Sequence, residues 1–216
     1  MPDWYKISKI YVGTDQVRPT VPTSFSYDFK TMSLADLTAA WFTYTWLNNG
    51  VPATDSTKWF YSTHDWQAVL SMPIDLTTAN SISITCVYYG YSGSWVWGCR
   101  HWISTSIQES TGSADIKVLW ELQMNNNSGY NYQAIYVAGS RKAWNSLTLS
   151  SWEYTCILSV DLTTWAVLWD EWVTTANYTL SASEIAAART ATYMCLVAGY
   201  NWWKQHQLWS AEWEIQ

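Results

Sequence analysis

The segment Trp152–Val173, WEYTCILSVDLTTWAVLWDEWV, decides the fold. Two apolar runs flank Asp161–Thr164, a polar connection of the length that joins the two strands of a β-hairpin. In the first run, large apolar residues alternate with Glu, Thr and Ser, and in the second Trp alternates with smaller neighbours. Because successive side chains of a strand point to opposite faces, this period of two predicts two strands, each with one buried face.

The same alternation recurs along the chain and predicts an all-β domain. The clearest predicted strands are Ser24–Phe29, Ser81–Tyr89, Trp95–Thr105, Ile116–Met124, Tyr130–Val137 and Leu208–Ile215. One short helix is predicted after Ser33, and a second at Ser183–Thr190 is preceded by the capping box of Ser181 and Glu184. Residues 139–149 are predicted to form a loop. Many short strands with few helices indicate a β-sandwich.

Residues 1–20 are predicted to form a small unit before the main domain at 24–216. The run Lys6–Val12 alternates, residues 13–15 contain the Gly of a turn, and residues 16–18 return as a second short strand. Two prolines follow and separate this hairpin from the rest of the chain. It is either an edge hairpin of the main domain or a connector that docks the protein to a partner.

The composition is poor in charge and rich in aromatic rings. Charged residues make up 13% of the chain, against roughly 25% in an average domain, and the chain has 18 Trp and 15 Tyr. Such a composition is typical of extracellular β proteins and sugar-binding proteins, although most of the rings are expected to fill the core. The net charge of −6 and the lack of a basic stripe exclude nucleic acid as a partner.

Neither a membrane span nor a secretion signal is predicted. No apolar run approaches the roughly 20 residues that a membrane-spanning helix needs. The first ten residues, MPDWYKISKI, lack the apolar region of a signal peptide. The protein is therefore expected to act where it is made or to leave the cell by another route, such as a virus particle.

The four Cys include no C-x-x-C pair, so a zinc site is not predicted. If residues 92–93 form a two-residue turn, Cys86 and Cys99 face each other across a hairpin, either as a disulfide or as two small buried side chains. The other two, Cys156 and Cys195, lie in apolar strands and are predicted to be core thiols rather than a bridge.

No catalytic residue is assigned. A glycosidase needs two carboxyl groups about 5–9 Å apart. Glu212 and Glu214 share one strand face, but a solvated edge at the C-terminus is the favoured interpretation of this pair. Glu121 alternates with Trp120 and Leu122, so it is expected to face away from both, toward solvent or into a groove. The chain contains no nucleophile elbow and no phosphate loop.

Binding is better supported than catalysis, because sugars stack their apolar face on Trp and Tyr while polar neighbours bind the hydroxyls. The candidate residues are aromatic rings in predicted loops or turns, together with one adjacent His. These predicted ligand-binding residues are Trp66, Trp144, Trp172, Trp202, Trp203 and His206.

Two stretches resemble known families. The string KIYVGTDQVRP at residues 9–19 is similar to an N-terminal motif of phage structural and tail-associated proteins. The order of elements over residues 24–216 is similar to that of concanavalin-like jelly rolls, the fold of laminin-G-like domains and legume lectins. The resemblance implies an all-β concanavalin-like sandwich with one or two short helices and a small N-terminal hairpin.

These resemblances imply a non-enzymatic structural or adhesive protein, located in a virion or outside the cell. Its expected partners are other virion proteins, bound through the N-terminal hairpin, and glycans, and a homo-oligomer is expected. The alternatives are a secreted carbohydrate-active enzyme or lectin, and an assembly protein whose aromatic faces are subunit interfaces. No cofactor is predicted. Lectin-like folds often bind calcium, but Asp28 and Asp115 are only weak candidate ligands.

Several Trp stand where a turn usually takes Gly, and the chain has only nine Gly. One hypothesis is that the gene reads one stop codon as Gly and that Trp66 and Trp172 mark such codons. Mass spectrometry of the native protein would decide it at each position.

Overall fold

A computed structural model gives the fold of the protein. It describes these parts of the chain: 10–12, 15–17, 21, 23–40, 42–47, 52–55, 59–62, 66–89, 96–107, 115–124, 132–146, 153–163, 166–168, 176–201, 204–205 and 207–216.

Strands account for most of the described residues. In chain order they are β1 (Ile10–Val12), β2 (Asp15–Val17), β3 (Ser24–Asp28), β4 (Thr43–Leu47), β5 (Pro52–Asp55), β6 (Trp59–Ser62), β7 (Trp66–Pro73), β8 (Ser81–Tyr89), β9 (Val96–Ser104), β10 (Ile116–Met124), β11 (Tyr132–Val137), β12 (Ser140–Ser146), β13 (Glu153–Asp161), β14 (Ala166–Leu168), β15 (Tyr178–Thr179), β16 (Tyr193–Asn201), β17 (Lys204–Gln205) and β18 (Gln207–Ile215). Two helices, α1 (Leu34–Ala39) and α2 (Ala182–Ala188), and a 3-10 turn at Phe29–Thr31 complete the elements.

Two antiparallel sheets pack face to face. Sheet 1 has the order β12-β11-β10-β9-β16-β7-β4, with β17 also paired to β16. Sheet 2 has the order β15-β14-β13-β8-β18-β6-β5, with β3 also paired to β18. Buried apolar side chains of both sheets, such as Ile84 of β8 and Trp120 of β10, meet in one core. The predicted all-β jelly-roll sandwich is therefore confirmed.

The hairpin predicted within Trp152–Val173 is present. Strands β13 and β14 pair antiparallel, with Val160 opposite Val167. Within β13 the even-numbered residues from 154 to 160 are buried and the odd-numbered ones are more exposed, as the period of two predicts. The connection is stabilised by Asp161, whose Oδ1 accepts hydrogen bonds from the backbone N–H of Thr163 at 2.7 Å and from its hydroxyl at 2.8 Å.

Both helices begin as predicted. Ser33 caps α1 and Ser181 caps α2, and each makes a reciprocal capping box with the acidic residue three positions later, Asp36 or Glu184. Each helix is slightly shorter than the sequence suggested.

The predicted hairpin of residues 86–99 is wrong. Strand β8 lies in sheet 2 between β13 and β18, whereas β9 lies in sheet 1 between β10 and β16. The chain crosses between layers here, so Cys86 pairs across the strands with Cys156 instead of Cys99. Cys86, Cys156 and Cys195 are buried free thiols.

The predicted loop at residues 139–149 is also wrong over most of its length, because residues 140–146 form β12, the edge strand of sheet 1. A two-residue turn at Ala138 and Gly139 connects β11 to β12, with φ of 48° and 75°. Positive φ at both central residues is what a type I′ hairpin turn requires. Ala is unusual at a position of positive φ, so the sequence does not predict this turn.

Strands β1 and β2 pair as a hairpin that forms a sheet of its own. The division into an N-terminal unit at 1–20 and a main domain at 24–216 stays a prediction. No helix among the described residues is long and apolar enough to cross a membrane.

Candidate functional site

The candidate site lies on the outer face of sheet 1, the face turned away from sheet 2. Directly opposite residues in an antiparallel pair point to the same face. The register places Arg100 of β9 beside Glu121 of β10, Glu121 beside Ala134 of β11, and Ala134 beside Trp144 of β12. One row across four strands thus brings together residues that are up to 44 positions apart in sequence.

The neighbouring row fixes which face this is. Tyr136 pairs with Leu119 of β10 on one side and with Arg141 of β12 on the other. Tyr136 and Leu119 belong to a small apolar cluster with Trp102, separate from the main core. Because residues two apart on a strand share a face, the row of Arg100 and Glu121 lies on this outer side as well.

A buried ion pair forms the inner part of the site. Arg100 and Glu121 are 7% and 4% exposed. The Nε of Arg100 donates a hydrogen bond to the Oε1 of Glu121 at 2.8 Å, and Nη2 also contacts this oxygen. Glu121 does face away from Trp120 and Leu122, as the alternation predicted, but it points to a buried arginine and not to solvent.

Two tyrosines extend this pair toward the edge of the sheet. Tyr136 hydrogen-bonds with Glu121 and with Tyr132. A carboxylate only accepts hydrogen bonds, so the Tyr136 hydroxyl is the donor toward Glu121. Burial, with a smaller contribution from the negative charge of Glu121, raises the pKa of both tyrosines above the usual value. Both are therefore neutral phenols at physiological pH.

Trp144 forms the outer part of the site. It is 54% exposed, and among the described residues it is the one large hydrophobic side chain that is exposed. It lies opposite the small side chain of Ala134, and Tyr132 and Tyr136 are its diagonal neighbours on β11. The guanidinium carbon of Arg141 lies 5.6 Å from the centre of the Trp144 ring, a cation–π distance. We call Trp144, Arg141, Tyr132 and Tyr136 the edge platform.

The other predicted ligand-binding residues are not brought into this site. Trp66 is the first residue of β7, which lies on the far side of β16 from the platform. Trp172, Trp202, Trp203 and His206 lie outside the described residues. Trp144 is thus the one predicted residue that the structure places in the edge platform, and its binding role stays a proposal.

The acidic pair of β18 lies elsewhere, on the outer face of sheet 2. Glu212 and Glu214 line a depression of about 380 Å³ with hydroxyl side chains from the flanking strands. Ser26 donates a hydrogen bond of 3.2 Å to Oε1 of Glu212. Strand β18 has neighbours on both sides, so the expected C-terminal edge is wrong, although both glutamates are exposed.

Within the described residues, no three His, Cys, Asp or Glu side chains are grouped so that they could hold a metal ion. The two weak calcium candidates have local partners. Asp28 caps the 3-10 turn by accepting from the N–H of Lys30 at 2.9 Å. Asp115 accepts from the Ser106 hydroxyl at 3.0 Å.

Solved structures of lectins share this architecture. Lectin I-B4 from Griffonia simplicifolia, in a metal-free form, superposes with a TM-score of 0.66 at 12% identity, covering 90% of this chain and 100% of that one. The fold is that of the legume lectins. The carbohydrate recognition domain of Emp46p has a TM-score of 0.64 at 7% identity and covers 91% and 98% of the two chains.

The exoplasmic/lumenal domain of VIP36, solved with Ca²⁺ and Man₃GlcNAc bound, is also similar. Its TM-score is 0.57 at 10% identity, with 82% of this chain and 84% of that chain covered. No protein-family model matches the chain, and no curated protein matches it in sequence. At these identities the comparison establishes the concanavalin-like fold, and the site must be argued from the residues of this chain.

The sequence does not predict four residues of this site: Arg100, Tyr132, Tyr136 and Arg141. Each lies in a strand and is separated from the others by turns or whole strands, so no local motif joins them. The only signal was the isolated Glu121 inside an apolar strand, since a buried carboxylate needs a partner.

Proposed function

We propose that this protein binds glycans and that it acts as a lectin-like binding protein without catalysing a reaction. One observation carries the proposal: Trp144 presents an exposed indole beside a hydrogen-bonded network of tyrosines and a buried ion pair. Sugars are bound by such combinations, because a ring face packs against their C–H groups while nearby polar groups bind the hydroxyls. The shared fold with lectins, one of them solved with an oligosaccharide bound, supports the same conclusion.

The sites of the protein favour binding over hydrolysis. Glu121, which lies in the same row as Trp144, is 4% exposed and pairs with Arg100, so it is not open to a sugar bound on the indole. The carboxylates of Glu212 and Glu214 lie on the other sheet, far from the exposed indole. A glycosidase would need two carboxyl groups around one bound sugar.

The test is a glycan array with the wild type and Trp144→Ala, followed by titration calorimetry on the best ligand. We expect Trp144→Ala to abolish binding, because the stacking surface is lost. Trp209→Ala is a matched control: this ring stacks on Tyr89 at 4.7 Å in sheet 2, and its removal should leave binding unchanged. Binding by Trp144→Ala at wild-type strength would contradict the proposal.

The sequence-based proposal of a second aromatic site is tested in the same array. Trp202→Ala/Trp203→Ala should lose binding only if those residues, and not Trp144, form the platform. The two sites are therefore distinguished by which variant fails.

A virion-associated adhesive role is a further proposal that rests on the sequence: the string at residues 9–19, the lack of a predicted signal peptide, the low charge and the lack of a predicted catalytic pair. The similar structures named above are lectins and carbohydrate-recognition or lumenal domains, and they support the alternative of a lectin better than the virion protein. Docking to other virion proteins through β1 and β2, and homo-oligomer formation, are likewise proposals. Pull-down of virion proteins by the full chain, but not by a variant lacking residues 1–20, would support docking.

A further inference from the structure

The positive charge of Arg141 is not neutralised within the described part of the chain. Two neighbouring cations differ from Arg141 in this respect. Arg100 pairs with Glu121, and Lys142 pairs with Glu184 of α2 at 3.1 Å. No ion pair to Arg141 is present among the described residues, and its guanidinium is held over the exposed ring of Trp144.

The two tyrosines of the edge platform add no negative charge. Tyr132 and Tyr136 are neutral, because burial raises the pKa of both hydroxyls. The edge platform therefore has a charge of +1 in a chain whose net charge is −6.

Arg141 and Trp144 together suit a sugar that bears an anionic group. A guanidinium binds a carboxylate or sulfate through two parallel N–H donors, and stacking on an aromatic ring orients its plane and lowers the entropy lost on binding. The cation lies about one sugar ring away from the centre of the indole, so one ligand can contact both.

Building on the proposed function, we propose that the edge platform binds an anionic saccharide, whose carboxylate or sulfate pairs with Arg141 while the sugar ring packs on the exposed part of Trp144. Uronic acids, sialic acids and sulfated sugars all present this chemistry. Neutral sugars lack the group that would pair with the guanidinium and should bind more weakly.

The test compares matched ligands by titration calorimetry: 3′-sialyllactose against lactose, a glucuronic-acid-terminated oligosaccharide against its glucose counterpart, and a sulfated galactoside against the unsulfated one. We expect the wild type to bind at least one acidic member about tenfold or more tightly than its neutral partner, the size of one charge-assisted hydrogen bond. The pair with the largest ratio identifies the anionic group. The preference should weaken as salt is raised.

Arg141→Gln should abolish this preference and leave the weaker affinity for the neutral partner. Arg141→Lys should retain part of it, because the charge remains but the paired donors are lost. Lys142→Gln is the matched control, since it removes the same charge one residue away from a side chain that is already paired with Glu184. It should leave the preference unchanged, and circular dichroism should show that all three variants are folded.

The outcomes separate the two proposals. Equal binding of acidic and neutral partners by the wild type, or an acidic preference that survives Arg141→Gln, overturns the anionic specificity and leaves the glycan-binding function standing. A wild type that binds no member of any pair, and no glycan on the array, overturns both. A preference lost equally in Lys142→Gln shows a nonspecific charge effect and overturns the role of Arg141.

Discussion

Removing Glu121 should destabilise the protein much more than removing the ion pair as a whole. The Glu121→Gln variant keeps the volume of the side chain but leaves the Arg100 guanidinium, which is 7% exposed, buried without its counter-charge. Breaking a buried ion pair by removing one partner typically costs about 3–5 kcal/mol. For a domain with a total stability of about 5–15 kcal/mol, this is a large part of the free energy of unfolding.

The double variant Arg100→Met/Glu121→Leu should recover most of that loss. Both charges are then gone, and neither is left without a partner in the buried position. The hydrogen bond that Tyr136 donates to Glu121 is lost as well, so we expect the double variant to remain about 1 kcal/mol below the wild type.

Urea unfolding followed by Trp fluorescence measures these free energies, and the chain has 18 Trp to report the transition. The wild type, Arg100→Met, Glu121→Leu and the double variant form a double-mutant cycle, and Glu121→Gln is measured beside them. If Glu121→Gln lies within about 1 kcal/mol of the wild type, the pair is not buried and charged as described. If the double variant loses as much as the two single variants together, the argument from an unpaired buried charge is refuted.

Three further predictions concern the core and one turn. His101 is fully buried and stacked on Trp120 at 4.6 Å, and burial lowers its pKa to about 3. Because the unfolded chain takes up that proton below about pH 6.5, stability should be full above pH 6.5 and fall by about 1.4 kcal/mol per pH unit as the pH drops toward 3. His101→Phe should reduce this slope in urea unfolding at several pH values. Ala138→Asn should raise the Tm by about 2–4 °C, since Asn tolerates the positive φ of the β11–β12 turn better than Ala does, and a lower Tm in a thermal melt would argue against the type I′ turn. Cys86 should resist iodoacetamide in the native protein and react in denaturant, because burial raises its thiol pKa to about 12; rapid native alkylation, read by mass spectrometry, would show that the strand is not buried.

Much of the fold follows from local patterns in the sequence. The alternation in β13 placed Tyr154, Cys156, Leu158 and Val160 on one buried face, because the period of two is a property of the strand itself. The capping boxes placed both helix starts because they depend on residues only three positions apart.

The wrong predictions concern strand pairing and burial, which depend on residues that are distant in sequence. The pattern of β8 and β9 is the same whether the two strands pair with each other or cross between sheets, so the hairpin of residues 86–99 was assigned to the wrong topology. Strand β12 is partly buried only at alternate positions of one face, so its sequence predicts a loop instead of a strand. The predicted loop position of Trp144 is wrong. It is exposed, but on an edge strand.

The candidate site could be predicted only in part for the same reason. Glu121 signalled a polar partner, but nothing near it in sequence identifies Arg100, which is 21 residues away. The relation between Tyr132, Tyr136 and Trp144 arises from the register of β11 and β12, which a sequence shows only after the turn at Ala138 is known.

The bulge in β12 has a consequence for how the molecule behaves in concentrated solution. The register shift at Tyr136 makes Lys142 an additional residue on the edge strand of sheet 1, between Arg141 and Ala143. A kinked edge with two adjacent cations is a poor template for a strand from another molecule. The protein can therefore expose the large apolar ring of Trp144 on this edge strand, while the kink and the charges of the same strand disfavour growth into amyloid-like filaments.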